Sequence, residues 1–295
     1  MICVTGNSAT APRGRQGLAW RGRYLRARFA ALALILIAPA GAAAQSLDDT
    51  FLRGSFRDNA SASRWDGFNF GVHVGMSNMN TDFGNSTSSL VAFILRESTL
   101  ETEAAPSNWT TLPNSTSNGR SYGVFLGYNM QWEQLVVGFD LAYNRLSGLE
   151  TSASDSLSRS VVTTDGVLND VTIVAQSSIK LVDYGTFRAR AGYTVGQFLP
   201  YAVLGGAVGR FNYLNSATVT VIQTDASGSS TYGPFTQSNM KDGAIVAGFL
   251  AGLGVDVAIL PNMFMRAEWE FIAFAPVSGI RTNINTGRVG IGMKF

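Results

Sequence analysis

The side chains best able to do chemistry here are one histidine and a set of opposite charges spaced two residues apart. His73 is the sole histidine of the 295 residues. One imidazole is enough for a Ser/His/Asp or His/Asp arrangement. It stands between Gly71 and Gly75 in an alternating apolar run, however, so the expectation is an inward, hydrogen-bonded structural histidine. A metal site lacks a second histidine, and the one cysteine, Cys3, lies near the N-terminus. The charged set is led by Arg266-x-Glu268-x-Glu270, with Arg288 and Lys294 farther on. Asp140, Lys180, Arg188, Arg190, Arg210 and Asp256 fall on the same parity of other runs. A spacing of two places such residues on one face of a strand. They could line an ion-selective pore, or cancel one another in a narrow interior that side chains fill. The closed network is the expectation, because an unpaired charge in such a place is costly. No catalytic, cofactor-binding or metal-ligating residue is expected.

Positioning these residues requires strands. Eight segments alternate apolar and polar or small residues with period two, at about 68–77, 120–131, 135–144, 180–194, 200–213, 243–259, 263–273 and 286–295. Each supplies the roughly 9–11 residues of a tilted membrane strand. In the fourth, Leu181 and Phe187 read as outward and Lys180 as inward. In the fifth, Tyr201, Val203, Ala207, Phe211 and Tyr213 read as the outward, greasy face. Connections alternate between tight turns (132–134, 196–199, 260–262) and long Ser/Thr/Asn/Gly-rich stretches (79–119, 146–179, 214–242, 274–285) that read as mostly aperiodic. In hydrocarbon an open sheet leaves unpaired edges, so the strands must close. The fold expected is an eight-stranded antiparallel transmembrane up-and-down β-barrel over 65–295, with short periplasmic turns and four long extracellular loops. A β-sandwich, the soluble alternative, would have short loops on both sides and charged residues outside.

The N-terminus agrees with export. Six arginines (Arg13, Arg15, Arg21, Arg23, Arg26, Arg28) precede the apolar run 29–38 and the small-residue segment Ala42-Ala-Ala44. Together they read as a signal peptide over 1–44, cleaved after Ala44. The apolar run is too short to span a membrane as a helix. Residues 45–64 read as a flexible periplasmic leader. With the six arginines gone, 16 of the 22 basic residues remain against 20 acidic ones, a net charge of −4. The basic isoelectric point therefore belongs to the precursor, and nucleic-acid binding loses its support. Only 14% of the residues are charged while Gly numbers 32, a composition that suits a wall facing lipid.

Three stretches carry a resemblance. Trp65-Asp-Gly-Phe-Asn-Phe-Gly-Val-His-Val-Gly75 resembles the opening strand of the opacity-type small outer-membrane β-barrels of rhizobia and related alpha-proteobacteria. Asp183-Tyr-Gly-Thr-Phe-Arg-Ala-Arg-Ala-Gly-Tyr193 with Phe198-Leu-Pro-Tyr-Ala202 is similar to their central hairpin. Gly287-Arg-Val-Gly-Ile-Gly-Met-Lys-Phe295 is similar to their last strand. The resemblance implies a bacterial outer-membrane barrel without catalytic residues, and a terminal aromatic, Phe295, read by barrel-assembly machinery. Trp65, Trp132 and Phe295 are expected at the membrane interface. The expected partners are outer-membrane lipid and lipopolysaccharide and the assembly machinery, with no nucleic acid and no cofactor. The expected role is structural, in envelope integrity and presentation of surface loops. A narrow porin-like channel and a loop-borne adhesin are the alternatives.

Overall fold

Alternating sequence becomes a sheet in which every wall strand has two neighbours. The computed structural model describes residues 64–295. The expected signal peptide (1–44) and all but the last residue of the expected leader (45–64) lie outside the described residues. The strands are β1 (Gly67–Asp82), β2 (Ser115–Trp132), β3 (Leu135–Ser147), β4 (Glu150–Val162), β5 (Leu168–Tyr193), β6 (Phe198–Asp225), β7 (Gly228–Leu260), β8 (Met263–Phe274) and β9 (Arg281–Lys294). Successive strands pair antiparallel except β3 and β4, and two further antiparallel pairings, β1 with β9 and β3 with β5, close the sheet into a ring. β4 pairs only with β5, above the point where β3 leaves it.

The faces are inverted relative to a soluble domain. In β1, Phe68, Phe70, Val72, Val74 and Met76 are exposed on the outer wall, whereas Asn69, His73 and Ser77 are buried within. The same alternation runs through β2, β3, β8 and β9.

Four expectations need correction. Nine strands stand where eight were expected. The stretches 146–179 and 214–242, expected as loops, are mostly strand: β4, the start of β5, the end of β6 and the start of β7. Their Ser/Thr richness conceals a period of two. Ala217, Val219 and Val221 are buried, while Thr218 and Thr220 lie on the other face, and Thr suits a half-buried pleated surface. The stretch 79–119 holds the helices α1 (Ser88–Ile94) and α2 (Thr99–Ala104) and a short 3-10 turn, Pro106–Asn108.

Third, the β5–β6 register shifts between Leu181 and Asp183. One extra residue in a strand exchanges its two faces. Leu181 is consequently buried and Lys180 exposed, the reverse of the expectation, while Tyr184, Thr186, Arg188 and Arg190 point inward below the bulge. Fourth, β6 has the opposite parity to that expected. Tyr201, Val203, Ala207 and Phe211 are inside, and Ala202, Leu204, Gly206, Val208 and Arg210 form the outer face. Both sets are nearly all apolar, so alternation alone could not orient this strand.

Inside, the layers follow the inward residues upward from the tight turns. Trp65 and Phe264 meet edge to face at 5.8 Å, with Val136, Leu199 and Ala258 buried around the base. The charged residues lie above them. Next comes an apolar layer that includes Leu250, Ile272, Ile284, Leu181 and the Phe211–Phe274 pair, whose rings are 5.0 Å apart. At the top, Leu90, Val91, Leu95 and Leu100 of the helical segment pack on Val171, Ile173, Ala217, Val219 and Val221 of the extended sheet. α2 is started by Ser98, whose hydroxyl accepts from the Glu101 amide at 3.2 Å, a capping interaction. At the far end of the β6–β7 hairpin, the Ser227 hydroxyl and amide hold the Asp225 carboxyl below the usual carboxylate range.

The parity of β3 is open to test. Leu141→Arg, on the outer face, is expected to weaken insertion into liposomes by about 2–4 kcal/mol, measured as the urea midpoint of refolded protein. An unchanged midpoint would mean that Leu141 does not face lipid.

Candidate functional site

The inward faces of β3, β5, β7, β8 and β9 converge on a buried charge cluster. Asp140 comes from β3, Arg188 and Arg190 from β5, Asp256 from β7, Arg266, Glu268 and Glu270 from β8, and Arg288 from β9. Their side chains are at most 2% exposed. Four guanidinium groups face four carboxylates, so the cluster is neutral in its ionised form.

It has two halves. In the lower, Arg266 grips Asp256 with Nε and Nη2 at 2.8 and 2.9 Å, and Arg190 Nη2 reaches the same carboxylate at 2.8 Å. In the upper, Arg188 and Arg288 both bond Glu268, and Arg288 Nη2 also lies 2.8 Å from Glu270. Asp140 joins the halves, with Arg188, Arg190 and Arg266 at 3.6, 3.7 and 3.5 Å. Two tyrosines add donors: the Tyr184 hydroxyl bonds Glu270 at 2.7 Å and the Tyr201 hydroxyl bonds Glu268 at 2.8 Å. Aromatic faces cover the cations, with Arg190 3.9 Å above the Tyr201 ring and Arg266 4.2 Å above Phe125. Such contacts gain strength when water is excluded.

Backbone geometry makes room for the cluster. At Gly127, opposite Asp140 on β2, a Cβ would collide with the Asp140 carboxylate. At Gly205, beside Arg188 on β6, it would strike the Phe187 carbonyl. Glycine is required at both positions by close approach.

His73 lies next to this cluster. Its Nε2 donates to Asn144 Oδ1 at 2.6 Å, and its ring stacks on Phe125 at 6.0 Å. Asn144 Oδ1 also accepts from Arg288 at 3.4 Å. The imidazole is therefore a donor into the polar interior, with its Nε2 proton committed to an amide oxygen. Lys294 lies at the lower mouth, donating to the Arg64 carbonyl at 2.6 Å and sitting 4.5 Å from the Trp65 ring centre. Among the described residues no group of His, Cys, Asp and Glu is arranged to hold a metal ion.

Two sequence expectations fail here. Arg210 is on the outer wall, bonded to Asp183, which also accepts from the Tyr143 hydroxyl at 3.2 Å. Its inward assignment followed from the reversed parity of β6. Trp65, expected at the interface, is 2% exposed and plugs the base. Trp132 and Phe295 are exposed on the outer wall, and the Phe295 ring stacks on Phe70 at 5.6 Å. Tyr184, Tyr201 and Asn144 were not anticipated in the cluster. Tyr184 shares the parity of Arg188 and Arg190 and could have been found by counting, whereas Tyr201 carries no such signal.

Residues 30–295 match the sequence family described as Outer membrane protein beta-barrel domain. No curated protein matches the sequence. Among solved structures, Ail, the attachment invasion locus protein of Yersinia pestis, is 11% identical, with a TM-score of 0.32, covering 78% of this chain and 99% of that one. Neisserial surface protein A is 15% identical, with a TM-score of 0.33 and coverage of 77% and 97%. OprG from Pseudomonas aeruginosa is 12% identical, with a TM-score of 0.30 and coverage of 78% and 96%.

The cluster predicts a stability effect. Glu268→Ala leaves Arg188 and Arg288 short of a shared carboxylate and is expected to cost about 3–5 kcal/mol, read as the denaturant midpoint of the refolded barrel. A midpoint within error of the parent would show that these charges are already solvated.

Proposed function

Because the chain belongs to the outer membrane protein beta-barrel domain family, we propose that it is a structural component of the bacterial outer membrane that braces the envelope and presents an extracellular sheet. In this reading eight strands span the membrane, β1–β3 and β5–β9, and β4 belongs to the part outside. The tight turns face the periplasm. The long side, with the helices and the extended β5–β6–β7 sheet, faces out. The finer assignment to the opacity-type barrels rests on the three quoted stretches.

The observation that carries the structural role is the filled bore. A neutral network occupies its middle, Trp65 and Phe264 its base, and apolar layers with a helical cap its upper end. Eight strands enclose a space that side chains can fill, whereas open porins use about 16. The arginines and carboxylates of the cluster are paired with one another and the one histidine donates to Asn144, which supports a non-enzymatic role. Presentation is supported by the β6–β7 hairpin. From Gly228 to Gly243 β7 is exposed apart from half-buried Gln237, and Tyr232, Phe235 and Met240 stand out from it. Phe295, exposed at the end of the closing strand, is the residue that the assembly machinery would read.

Two measurements test this reading. Purified, refolded protein in planar bilayers is expected to give no sustained current. An epitope tag between Ala226 and Ser227 is expected to label on intact cells, and one at Glu133 only after permeabilisation. Steady single-channel conductance would replace the structural role with a channel. Surface labelling at Glu133 would invert the orientation.

A further inference from the structure

We propose that the outer wall carries a binding site for a phosphorylated, multiply acylated glycolipid of the lipid A type, seated in two adjacent apolar grooves beneath an arginine belt. The proposal rests on the outward orientation read above.

The grooves measure about 700 and 660 Å³ and share the ridge formed by Val124 and Tyr143. Volumes of about 300–1,000 Å³ are usual for small-ligand sites. The first groove crosses β3, β5 and β6 between Leu141, Phe187 and Val208, and its floor dips at Gly185 and Gly206. A Cβ at either glycine would meet nothing nearer than 3.8 Å. The fold therefore has room for side chains at both positions, unlike inward Gly127 and Gly205, and the dip serves what lies outside the wall. The second groove runs between Val72, Val289 and Met265, and Arg145 lines it together with Tyr122.

The charges above the grooves supply the second half of the site. Arg145 lies opposite Tyr122 on β2 and Asp183 on β5. Arg120 sits two residues above Tyr122 on the same outer face. Arg210 stands two residues above Val208 and is bonded to Asp183, while Lys180 pairs with Glu150 at 3.8 Å. Arg120 and Arg145 are exposed, and neither has a carboxylate partner among the described residues. Two carboxylates against four cations leave an excess of positive charge in this belt.

Height fixes what the belt meets. Arg145 is ten residues along β3 from Leu135 at the tight turn. At roughly 3.3 Å per residue and a tilt of about 40°, that is about 25 Å, the height of the apolar band. The cations thus lie at the phosphate level of the outer leaflet, with Tyr122 and Tyr143 at the boundary where tyrosine is favoured. A guanidinium fork matches a phosphate in two parallel hydrogen bonds. Arginines over both grooves fit a headgroup with two phosphates and several chains better than a single-phosphate lipid.

The test uses full-length refolded barrel in detergent micelles, titrated with lipid A and read by native mass spectrometry. One bound lipid A is expected. Affinity is expected to fall at least tenfold in Arg120→Gln/Arg145→Gln and also in Gly206→Leu, which fills a groove without altering charge. A heat-dependent shift on gels verifies that each variant is folded. Dephosphorylated lipid A and phosphatidylglycerol are expected to bind at least tenfold more weakly. Unchanged affinity in both folded variants, or phosphatidylglycerol binding as well as lipid A, would overturn the site. Binding in micelles does not depend on which end faces out, so a failed orientation shows in the epitope tags and a failed site in the titration.

Discussion

The constraint on which the rest depends is the need of every backbone amide and carbonyl in the wall for a partner within the protein. Hydrocarbon offers none. A sheet meets that need only by pairing its first strand with its last, and β1 does so with β9 from Asn69↔Lys294 to Asp82↔Arg281. Once the ring is closed, its outer face must be apolar and its inner face receives what remains. The inversion of Phe68, Phe70 and Val72 against Asn69 and His73 is a consequence of closure.

The small interior then imposes its own rule. Charges placed there are cut off from water, and the desolvation cost is met only by close opposite partners. Four arginines and four carboxylates satisfy it together, with Asp140 in contact with three of the arginines. Glycine is the other half of this solution, because the facing backbone at Gly127 must leave the carboxylate its space. Charge balance and wall thickness are thus settled by the same residues.

Much of this was legible from alternation. The runs around Phe68, Leu135, Met265 and Val289 announced their faces because one parity was apolar and the other was polar or small. The charge triplet on β8 announced the network for the same reason. Legibility failed where the contrast failed. In β6 both faces are apolar, so Tyr201 and Arg210 were misplaced together. In β5 a single extra residue near Asp183 exchanged the faces, and no propensity marks that event. At the upper end of the barrel, Thr and Ser on one face of β5 and β6 looked like loop, although Val171, Ile173, Val219 and Val221 kept the beat on the other. The helical segment between β1 and β2 is short and capped by local bonds such as Ser98 to Glu101, so no long helical period advertised it.

The seam between β1 and β9 also governs time. Gly75 and Arg288 become neighbours although nearly the whole barrel sequence separates them. Contacts between distant residues form slowly, since the chain loses loop entropy before they contribute. Until β9 has been synthesised and delivered, β1 keeps an open edge able to pair with other chains. A chain truncated before residue 281 would therefore be a curved sheet with two unpaired borders, prone to aggregate and ill-suited to the bilayer. Completion of the polypeptide is in this sense the checkpoint for its own assembly.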